Sequence, residues 1–275
     1  PNSDYLISLH HLYERAASFE VFDSSLYNKS VFKFDEIHEV VGVGDLSCNA
    51  KQNTAALISV KNKIAYHLFD CQNMKILKKA KWNSKHTDMI ASLDLNPEGT
   101  KIATIDRSGV FLVSDVSSEA DKLDIFTGES YYNKCRWSPL VDMPIVAVKY
   151  DKTQLNLIDV HEKTFLMKEP LALDANSTLS IDWRRDGNLI ASGGWDQSVK
   201  IFDRREGKTV RTYNNLHSHL IRAVRWSPYG NTLATAAQDG SIKVIDVASG
   251  KLLYVGNTPD GKAANSICFL DVLSQ

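Results

Sequence analysis

One stretch of this chain repeats itself without a gap, and that repeat limits the folds the chain can adopt. Residues 180–203 read SIDWRRDGNLIASGGWDQSVKIFD, and residues 223–246 read AVRWSPYGNTLATAAQDGSIKVID. Trp183 of the first segment is matched by Trp226 of the second, 43 residues later. Self-similarity at a fixed period of this size predicts repeated supersecondary units.

The same period extends over the whole chain. An aspartate follows a small or apolar residue at the end of an apolar run in each unit, and these aspartates recur every 43 to 47 residues. The six aspartates are Asp23, Asp70, Asp115, Asp159, Asp203 and Asp246. This spacing predicts one partial repeat that ends near Asp23, followed by five full repeats, numbered one to five in chain order.

Within each repeat the pattern is that of short strands separated by tight turns. Residues 198–202 and 241–245 alternate over their first positions and are rich in β-branched side chains, whereas helical spacing is absent. Turn signals such as Ser227-Pro228-Tyr229-Gly230 separate the strands. A lone four-stranded sheet buries only part of its faces, but radially stacked sheets bury both. We therefore predict an all-β chain folded as a β-propeller of four-stranded antiparallel blades, a single domain over residues 1–275.

The repeats resemble those of the WD40 family over essentially the whole chain. In that family a His before the first strand, a Ser or Thr in the second strand, an Asp in the turn to the third strand and a Trp ending the third strand form a buried hydrogen-bonded set. Repeat five carries His217, Thr235 and Asp239 at the first three positions and Ile245 at the fourth. The resemblance implies that His217, Thr235 and Asp239 are buried and hydrogen-bonded in series.

The other repeats match this set less completely. Repeat four has Ser192 and Asp196, and repeat two has His86 and Thr104. The remaining positions of these two repeats depart from the family and hold Asp174, Phe202, Ser108 and Ser114. Since no repeat is complete, we expect stability to rest more on apolar packing than on polar networks.

The two ends of the chain resemble complementary parts of one repeat. Residues 5–13, 18–22 and 31–34 resemble second, third and fourth strands, and residues 264–272 resemble a first strand. Together they would close a ring of six blades, which is the favoured arrangement. The resemblance leaves two alternatives: seven blades, one of them missing from this sequence, or an open ring that a partner strand completes.

In WD40 proteins the narrow face of the ring, around the mouth of the central channel, commonly binds partner peptides. The resemblance places two kinds of position there: one lies five residues after the His position, and the other directly precedes the turn Asp. Carried over to this sequence with their flanking residues, these positions give Trp195, Arg222, Tyr131, Asn133, Arg107, Gln238 and Leu220. Trp, Tyr and Arg are the usual anchors of protein interfaces. The alternative roles are packing between blades for Trp195 and a cross-blade salt bridge for Arg222.

The charge balance gives no overall attraction to nucleic acid or anionic membranes, because 32 basic residues stand against 33 acidic ones. Two local basic runs are present, Lys75–Lys85 around Trp82 and Arg204–Arg211. Both fall on or beside an outermost strand, where charged side chains ordinarily prevent edge-to-edge pairing. Binding of nucleic acid or of a phosphoinositide headgroup is the alternative interpretation.

The sequence contains no motif for catalysis, cofactor binding or a metal site, and its four cysteines are far apart. No signal-peptide pattern opens the chain, and no apolar run approaches the ~18 residues of a membrane helix. The sequence therefore favours a non-enzymatic scaffold without cofactors. We expect it to bind other proteins in a multisubunit complex inside the cell, in the cytoplasm or the nucleus. An enzyme with its site at the channel mouth is the alternative.

Overall fold

The computed structural model describes the strands before Asn83 by their backbone and much of the later chain with its side chains. The described residues are 5–12, 16–23, 30–38, 46–49, 54–57, 63–70, 75–83, 85–88, 90–118, 120–126, 134–150, 154–167, 171–172, 178–258, 261–267 and 269. They form strands, turns and irregular segments, and no helix occurs among them. The predicted all-β fold is confirmed. The chain divides into two compact units, an N-terminal unit of residues 1–124 and 270–275 and a C-terminal unit of residues 125–269.

The N-terminal unit holds the partial repeat, repeat one and most of repeat two. The partial repeat forms a three-stranded sheet of β1 (Tyr5–Leu12), β2 (Ala16–Asp23) and β3 (Ser30–His38). In repeat one, two separate ladders pair β4 (Leu46–Asn49) with β5 (Thr54–Leu57) and β6 (Lys63–Asp70) with β7 (Lys75–Asn83). Repeat two forms a four-stranded sheet of β8 (Ile90–Leu95), β9 (Lys101–Asp106), β10 (Val110–Asp115) and β11 (Ala120–Phe126).

The C-terminal unit holds repeats three to five, each folded as an antiparallel sheet in chain order. Repeat three consists of β12 (Cys135–Trp137), β13 (Ile145–Tyr150), β14 (Gln154–Asp159), β15 (Thr164–Phe165) and β16 (Leu171–Ala172), and both β15 and β16 pair with β14. Repeat four consists of β17 (Thr178–Trp183), β18 (Leu189–Gly194), β19 (Val199–Asp203) and β20 (Lys208–Tyr213). Repeat five consists of β21 (Ile221–Trp226), β22 (Thr232–Ala237), β23 (Ser241–Asp246) and β24 (Leu252–Asn257). The strand number, order and pairing of repeats four and five are those of propeller blades, whereas repeat three has a fifth short strand.

The recurring aspartates end the third strand of their repeats and hold the turn that follows. In repeats two to five the carboxylate accepts hydrogen bonds from backbone N–H groups two or three residues later. The residues that do so are Asp115, Asp159, Asp203 and Asp246. A side-chain acceptor at this position fixes the chain reversal into the fourth strand, which gives a physical reason for the regular spacing in the sequence.

The core of the C-terminal unit lies between neighbouring sheets. One apolar cluster joins repeats three and four and includes Leu157, Trp183 and Phe202. A second cluster joins repeats four and five and includes Ile201 and Trp226. Because consecutive residues of a strand point to opposite faces, Phe202 and Ile201 bury both faces of repeat four. This is the packing that stacked blades require.

The first strands of neighbouring repeats are joined by side chains rather than by a ladder. The indole Nε1–H of Trp183 donates to the carbonyl oxygen of Arg136 at 3.0 Å. The backbone N–H of Trp226 donates to Asp182 Oδ2 at 2.8 Å. These bonds fix the first strands of repeats three, four and five relative to one another.

The first strand predicted over residues 264–272 does not form where the structure describes this stretch. Residues 262–267 and Phe269 belong to no strand. The backbone N–H of Ala264 donates instead to the carbonyl oxygen of Ala237 at 2.9 Å, which holds the start of this segment against repeat five. Cys268 and residues 270–275 lie outside the described residues. Closure of a six-bladed ring and a single domain over the whole chain therefore stay predictions.

Candidate partner-binding site

A buried histidine organises the end of repeat five at which β21 begins and β22 ends. His217 is 2% exposed. Its Nε2 lies 2.7 Å from Thr235 Oγ1, and its Nδ1 lies 2.7 Å from Ser241 Oγ. Ser241 Oγ donates to Asp239 Oδ1 at 2.6 Å, whereas His217 Nδ1 and Asp239 Oδ1 are 3.6 Å apart. The structure thus brings the three expected residues together and adds Ser241 as a relay that sequence reasoning missed.

The charge states of this set follow from its hydrogen bonds. Asp239 Oδ2 accepts bonds from the backbone N–H and the hydroxyl of Ser218, both at 2.9 Å. Burial raises the pKa of Asp239, but the hydrogen bonds from Ser241 and Ser218 outweigh burial and hold the pKa below its usual range. Burial lowers the pKa of His217, and the charge of Asp239 offsets only part of that effect. His217 is therefore a neutral hydrogen-bonding residue at pH 7.

Repeat two builds the same kind of set with its carboxylate in a different place. Ser108 stands where the family has Asp. The carboxylate of this set comes instead from Asp106 at the end of β9, whose Oδ2 lies 3.1 Å from His86 Nδ1. His86 Nε2 lies 2.8 Å from Thr104 Oγ1, and Ser108 Oγ donates to Asp106 Oδ1 at 2.6 Å. Relative to repeat five, carboxylate and hydroxyl both lie two positions earlier, and the carboxylate rather than the hydroxyl is next to the imidazole.

Asp106 left a weak signal in the sequence. It follows Thr104 by two residues, where repeats four and five have the small residues Gly194 and Ala237. An acidic residue at a position that is otherwise small and buried is unusual unless it has partners, and Asp106 is 0% exposed. Burial raises the pKa of Asp106, but hydrogen bonds, the strongest of them with His86, outweigh burial and lower the pKa to about 2.

Repeat four holds an incomplete set. Ser192 is 2% exposed, and its hydroxyl has no hydrogen-bond partner among the described residues. Asp174, at the family's His position, lies outside the described residues. Asp196 accepts bonds from the backbone N–H of Ser198 at 3.0 Å and from its hydroxyl at 2.7 Å. Phe202, at the family's Trp position, is 2% exposed and contributes to the apolar cluster instead.

At the same end of repeat five, Arg222 and Gln238 form a pair. Arg222 lies on β21 with its side chain exposed, and Gln238 directly follows β22. Arg222 Nη2 donates to Gln238 Oε1 at 2.8 Å. The backbone N–H of Gln238 donates to the carbonyl of Leu220 at 3.0 Å. Leu220 itself is 5% exposed, so the expectation that its side chain contacts a partner is corrected: it packs inward.

Trp195 occupies the position in repeat four that Gln238 occupies in repeat five. It directly follows β18 and is 44% exposed. Two residues earlier, Gly193 approaches repeat five so closely that a Cβ atom on it would lie 2.9 Å from Ile221 Cγ2. Because Ile221 directly precedes Arg222, Trp195 and Arg222 are presented at adjoining ends of the two repeats.

Three further expected binding residues lie outside what the structure describes of the C-terminal unit. Arg107 is half-buried and belongs to the N-terminal unit. Tyr131 and Asn133 lie outside the described residues. The candidate site of the C-terminal unit therefore consists of Trp195, Arg222 and Gln238, and we name it the Trp195–Arg222 surface.

The basic run of repeat four is engaged within the chain. Arg205 contacts Asp203 Oδ2 at 2.7 Å, and Lys208 contacts Glu206 Oε2 at 2.9 Å. Arg204 donates to the carbonyl of Gly187 at 3.2 Å, and Arg211 donates to the carbonyl of Ala248 at 2.8 Å. Two of these four cations thus pair with carboxylates of their own repeat, which reduces the charge available to an anionic partner. In the other run, the side chains of Lys75–Lys81 lie outside the described residues.

Metal and membrane sites receive no support from the described residues. Nowhere within them are three or more His, Cys, Asp or Glu side chains grouped to hold a metal ion. The described part of the chain also contains no helix with the length and hydropathy that a bilayer crossing requires.

Comparison with known proteins gives two matches. Residues 172–203 and 207–246 match the family model of the WD domain, G-beta repeat. The Periodic tryptophan protein 2 homolog of Caenorhabditis elegans is 25% identical over 176 residues. This alignment covers 58% of the chain and 18% of the relative, so the chain spans less than a fifth of that protein's length.

The matched segments cover the four strands of repeat four and the first three strands of repeat five, the two sheets that form the Trp195–Arg222 surface. The resemblance predicted from the hydrogen-bonded set is confirmed for residues 172–203 and 207–246, which match WD40 repeats.

Proposed function

We propose that this chain is a non-enzymatic scaffold that binds a peptide segment of a partner protein at the Trp195–Arg222 surface. WD40 repeats support interactions between proteins in general. In this proposal the partner is another protein, and the chain works as one subunit of a larger complex.

The observation that supports the proposal most is an exposed tryptophan in the turn after β18 and an exposed arginine on β21, at adjoining ends of two packed repeats. Trp195 is 44% exposed, although indole rings are largely buried in most proteins. Arg222 is positioned by Gln238 at 2.8 Å, which leaves its remaining N–H groups for a ligand. Indole and guanidinium groups together suit a peptide with an acidic or planar side chain, through stacking and forked hydrogen bonds.

The alternative of an enzyme at this end receives no support from the buried histidine of repeat five. His217 is buried, and both ring nitrogens lie 2.7 Å from hydroxyl oxygens of the same repeat. A general base must reach a proton of the substrate, and these nitrogens are already occupied. The alternative of an anionic partner is weakened by the internal contacts of the Arg204–Arg211 run.

The test is a comparison of captured partners. The tagged full chain and the variants Trp195→Ala and Arg222→Glu would be expressed in cells, and the co-purifying proteins quantified by mass spectrometry. Tyr254→Ala serves as the control, because Tyr254 is a 58% exposed aromatic residue on the outer strand β24. We expect both surface variants to lose a protein that the control retains, with unchanged thermal unfolding. Parental recovery of every partner by both variants would overturn the proposal.

A further inference from the structure

A cavity of about 300 Å³ opens at the opposite end of the blades in the C-terminal unit. In an antiparallel sheet the turn between the first and second strands lies at the other end from the turn between the second and third strands. Trp195 and Gln238 lie in turns between the second and third strands. The cavity is lined by turns between the first and second strands and by the ends of first strands, including Pro139, Trp183, Arg185, Arg225, Trp226 and Pro228. Its volume is at the lower end of the roughly 300–1,000 Å³ of ligand pockets.

The rim of the cavity is positive. Two of the lining residues are arginines, and none is acidic. Arg185 is exposed and makes no hydrogen bond or ion pair with other residues that the structure describes. The acid on the same turn, Asp186, is already bound, because Arg184 donates to its two oxygens at 2.9 and 2.6 Å. The Arg185 guanidinium is therefore available to a carboxylate from outside the chain.

The tryptophans of the cavity are unsuited to stacking on nucleobases. Trp183 and Trp226 are each 6% exposed, so they present little of their ring faces. The guanidinium of Arg184 lies 5.8 Å from the centroid of the Trp226 ring and covers part of it. Single-stranded nucleic acid binds by stacking on open aromatic faces. An apolar amino-acid side chain between the ring edges fits this cavity better than a base does.

We propose that this cavity binds an acidic segment of a partner protein. An apolar side chain of that segment enters between Trp183 and Trp226, and a neighbouring carboxylate pairs with Arg185. The charge of the rim and the apolar walls together select this class of ligand. The site is separate from the Trp195–Arg222 surface, and the inference does not rest on the function proposed for that surface.

A matched pair of capped tripeptides tests the ligand class. N-acetylated and C-amidated Asp-Phe-Asp and Lys-Phe-Lys would be titrated into the full chain and followed by tryptophan fluorescence and by the indole N–H signals in NMR spectra. We expect saturable binding of Asp-Phe-Asp with a dissociation constant below about 1 mM, and binding of Lys-Phe-Lys at least about tenfold weaker. Equal affinity for both peptides, or no saturable binding of Asp-Phe-Asp, would overturn the proposal.

A charge reversal tests the site. Arg185→Glu should weaken binding of Asp-Phe-Asp by about tenfold or more. Lys251→Glu is the matched control, because Lys251 is also exposed and the change in net charge is the same. The control should bind the peptide as the parent does. If both variants weaken binding equally, the attraction comes from overall charge and the cavity is not the site. If both bind as the parent does, Arg185 does not pair with the ligand and the proposal is also overturned.

Discussion

Replacing Asp106 with alanine removes the carboxylate that completes the buried set of repeat two. Its oxygens accept hydrogen bonds from Thr87 N–H at 3.1 Å, Ser108 Oγ at 2.6 Å and Val110 N–H at 2.9 Å. His86 Nδ1 lies 3.1 Å from the same carboxylate, and both side chains are fully buried. The variant leaves the imidazole and the N–H of Val110 without this acceptor in a site closed to water.

Each buried polar group that loses its partner costs about 1–3 kcal/mol. Counting the imidazole and one peptide N–H, and allowing water to replace the bond at the partly exposed Thr87, we expect a loss of about 3 kcal/mol. Equilibrium unfolding in urea measures it, and the midpoint should fall by about 1 M. A midpoint equal to that of the parent would refute the structural role of Asp106.

A transplant tests whether the two placements of carboxylate and hydroxyl are equivalent. The triple variant Asp106→Ala, Ser108→Asp, Val110→Ser rebuilds in repeat two the arrangement of Asp239 and Ser241 in repeat five. It should regain at least about half of the stability that Asp106→Ala loses. A triple variant as unstable as the single variant would show that the two arrangements are not equivalent.

Three further predictions concern stability. Gly193→Ala should destabilise by about 1–3 kcal/mol, because the new methyl group would overlap Ile221; an unchanged urea midpoint would contradict the close packing of repeats four and five. Ser192→Ala should leave the free energy of unfolding unchanged or slightly raised, since it removes a buried hydroxyl without a described partner. Thr235→Val should lower the free energy of unfolding by about 1 kcal/mol, because it removes a bond to the histidine of its set. Equal losses in the two variants would contradict this difference. The pKa of Asp106 is about 2 in the folded chain, below its ordinary value of 3.8, so its carboxylate contributes stability above pH 4 that is lost as the pH falls towards 2. Over that range the parent should lose about 2 kcal/mol more than Asp106→Asn, measured by urea unfolding at each pH, and parallel profiles would contradict the low pKa.

The sequence predicted the architecture because its signals are local. The aspartate that ends each third strand fixes a turn through its own backbone neighbours, so its position along the chain is enough to identify it. The alternation of apolar residues in repeats four and five likewise reflects sheets that are buried on both faces. In repeats two, four and five, strand number and order therefore followed from spacing and turns alone.

The sequence could not predict contacts in which a side chain from one of several chain positions can fill the same role, or those that depend on the direction in which a side chain points. Asp106 performs the role expected at position 108, because a carboxylate at the end of the second strand can contact the imidazole of its repeat, as one in the following turn does through Ser241 in repeat five. Leu220 was placed at the site only because it lies two residues before Arg222, and this count does not reveal that its side chain is buried. The stretch 264–272 has strand-like composition, yet the bond from Ala264 to Ala237 keeps its start at repeat five.

The central claim is that the Trp195–Arg222 surface anchors a partner protein. The most direct test is to measure the affinity of one captured partner for purified variants. Trp195→Ala should weaken binding by about 2 kcal/mol or more, roughly thirtyfold in Kd, while its urea midpoint stays at the parental value. Tyr254→Ala should change neither quantity. Parental affinity for Trp195→Ala, or a loss of affinity that only accompanies a loss of stability, would contradict the claim and assign Trp195 to packing between the blades.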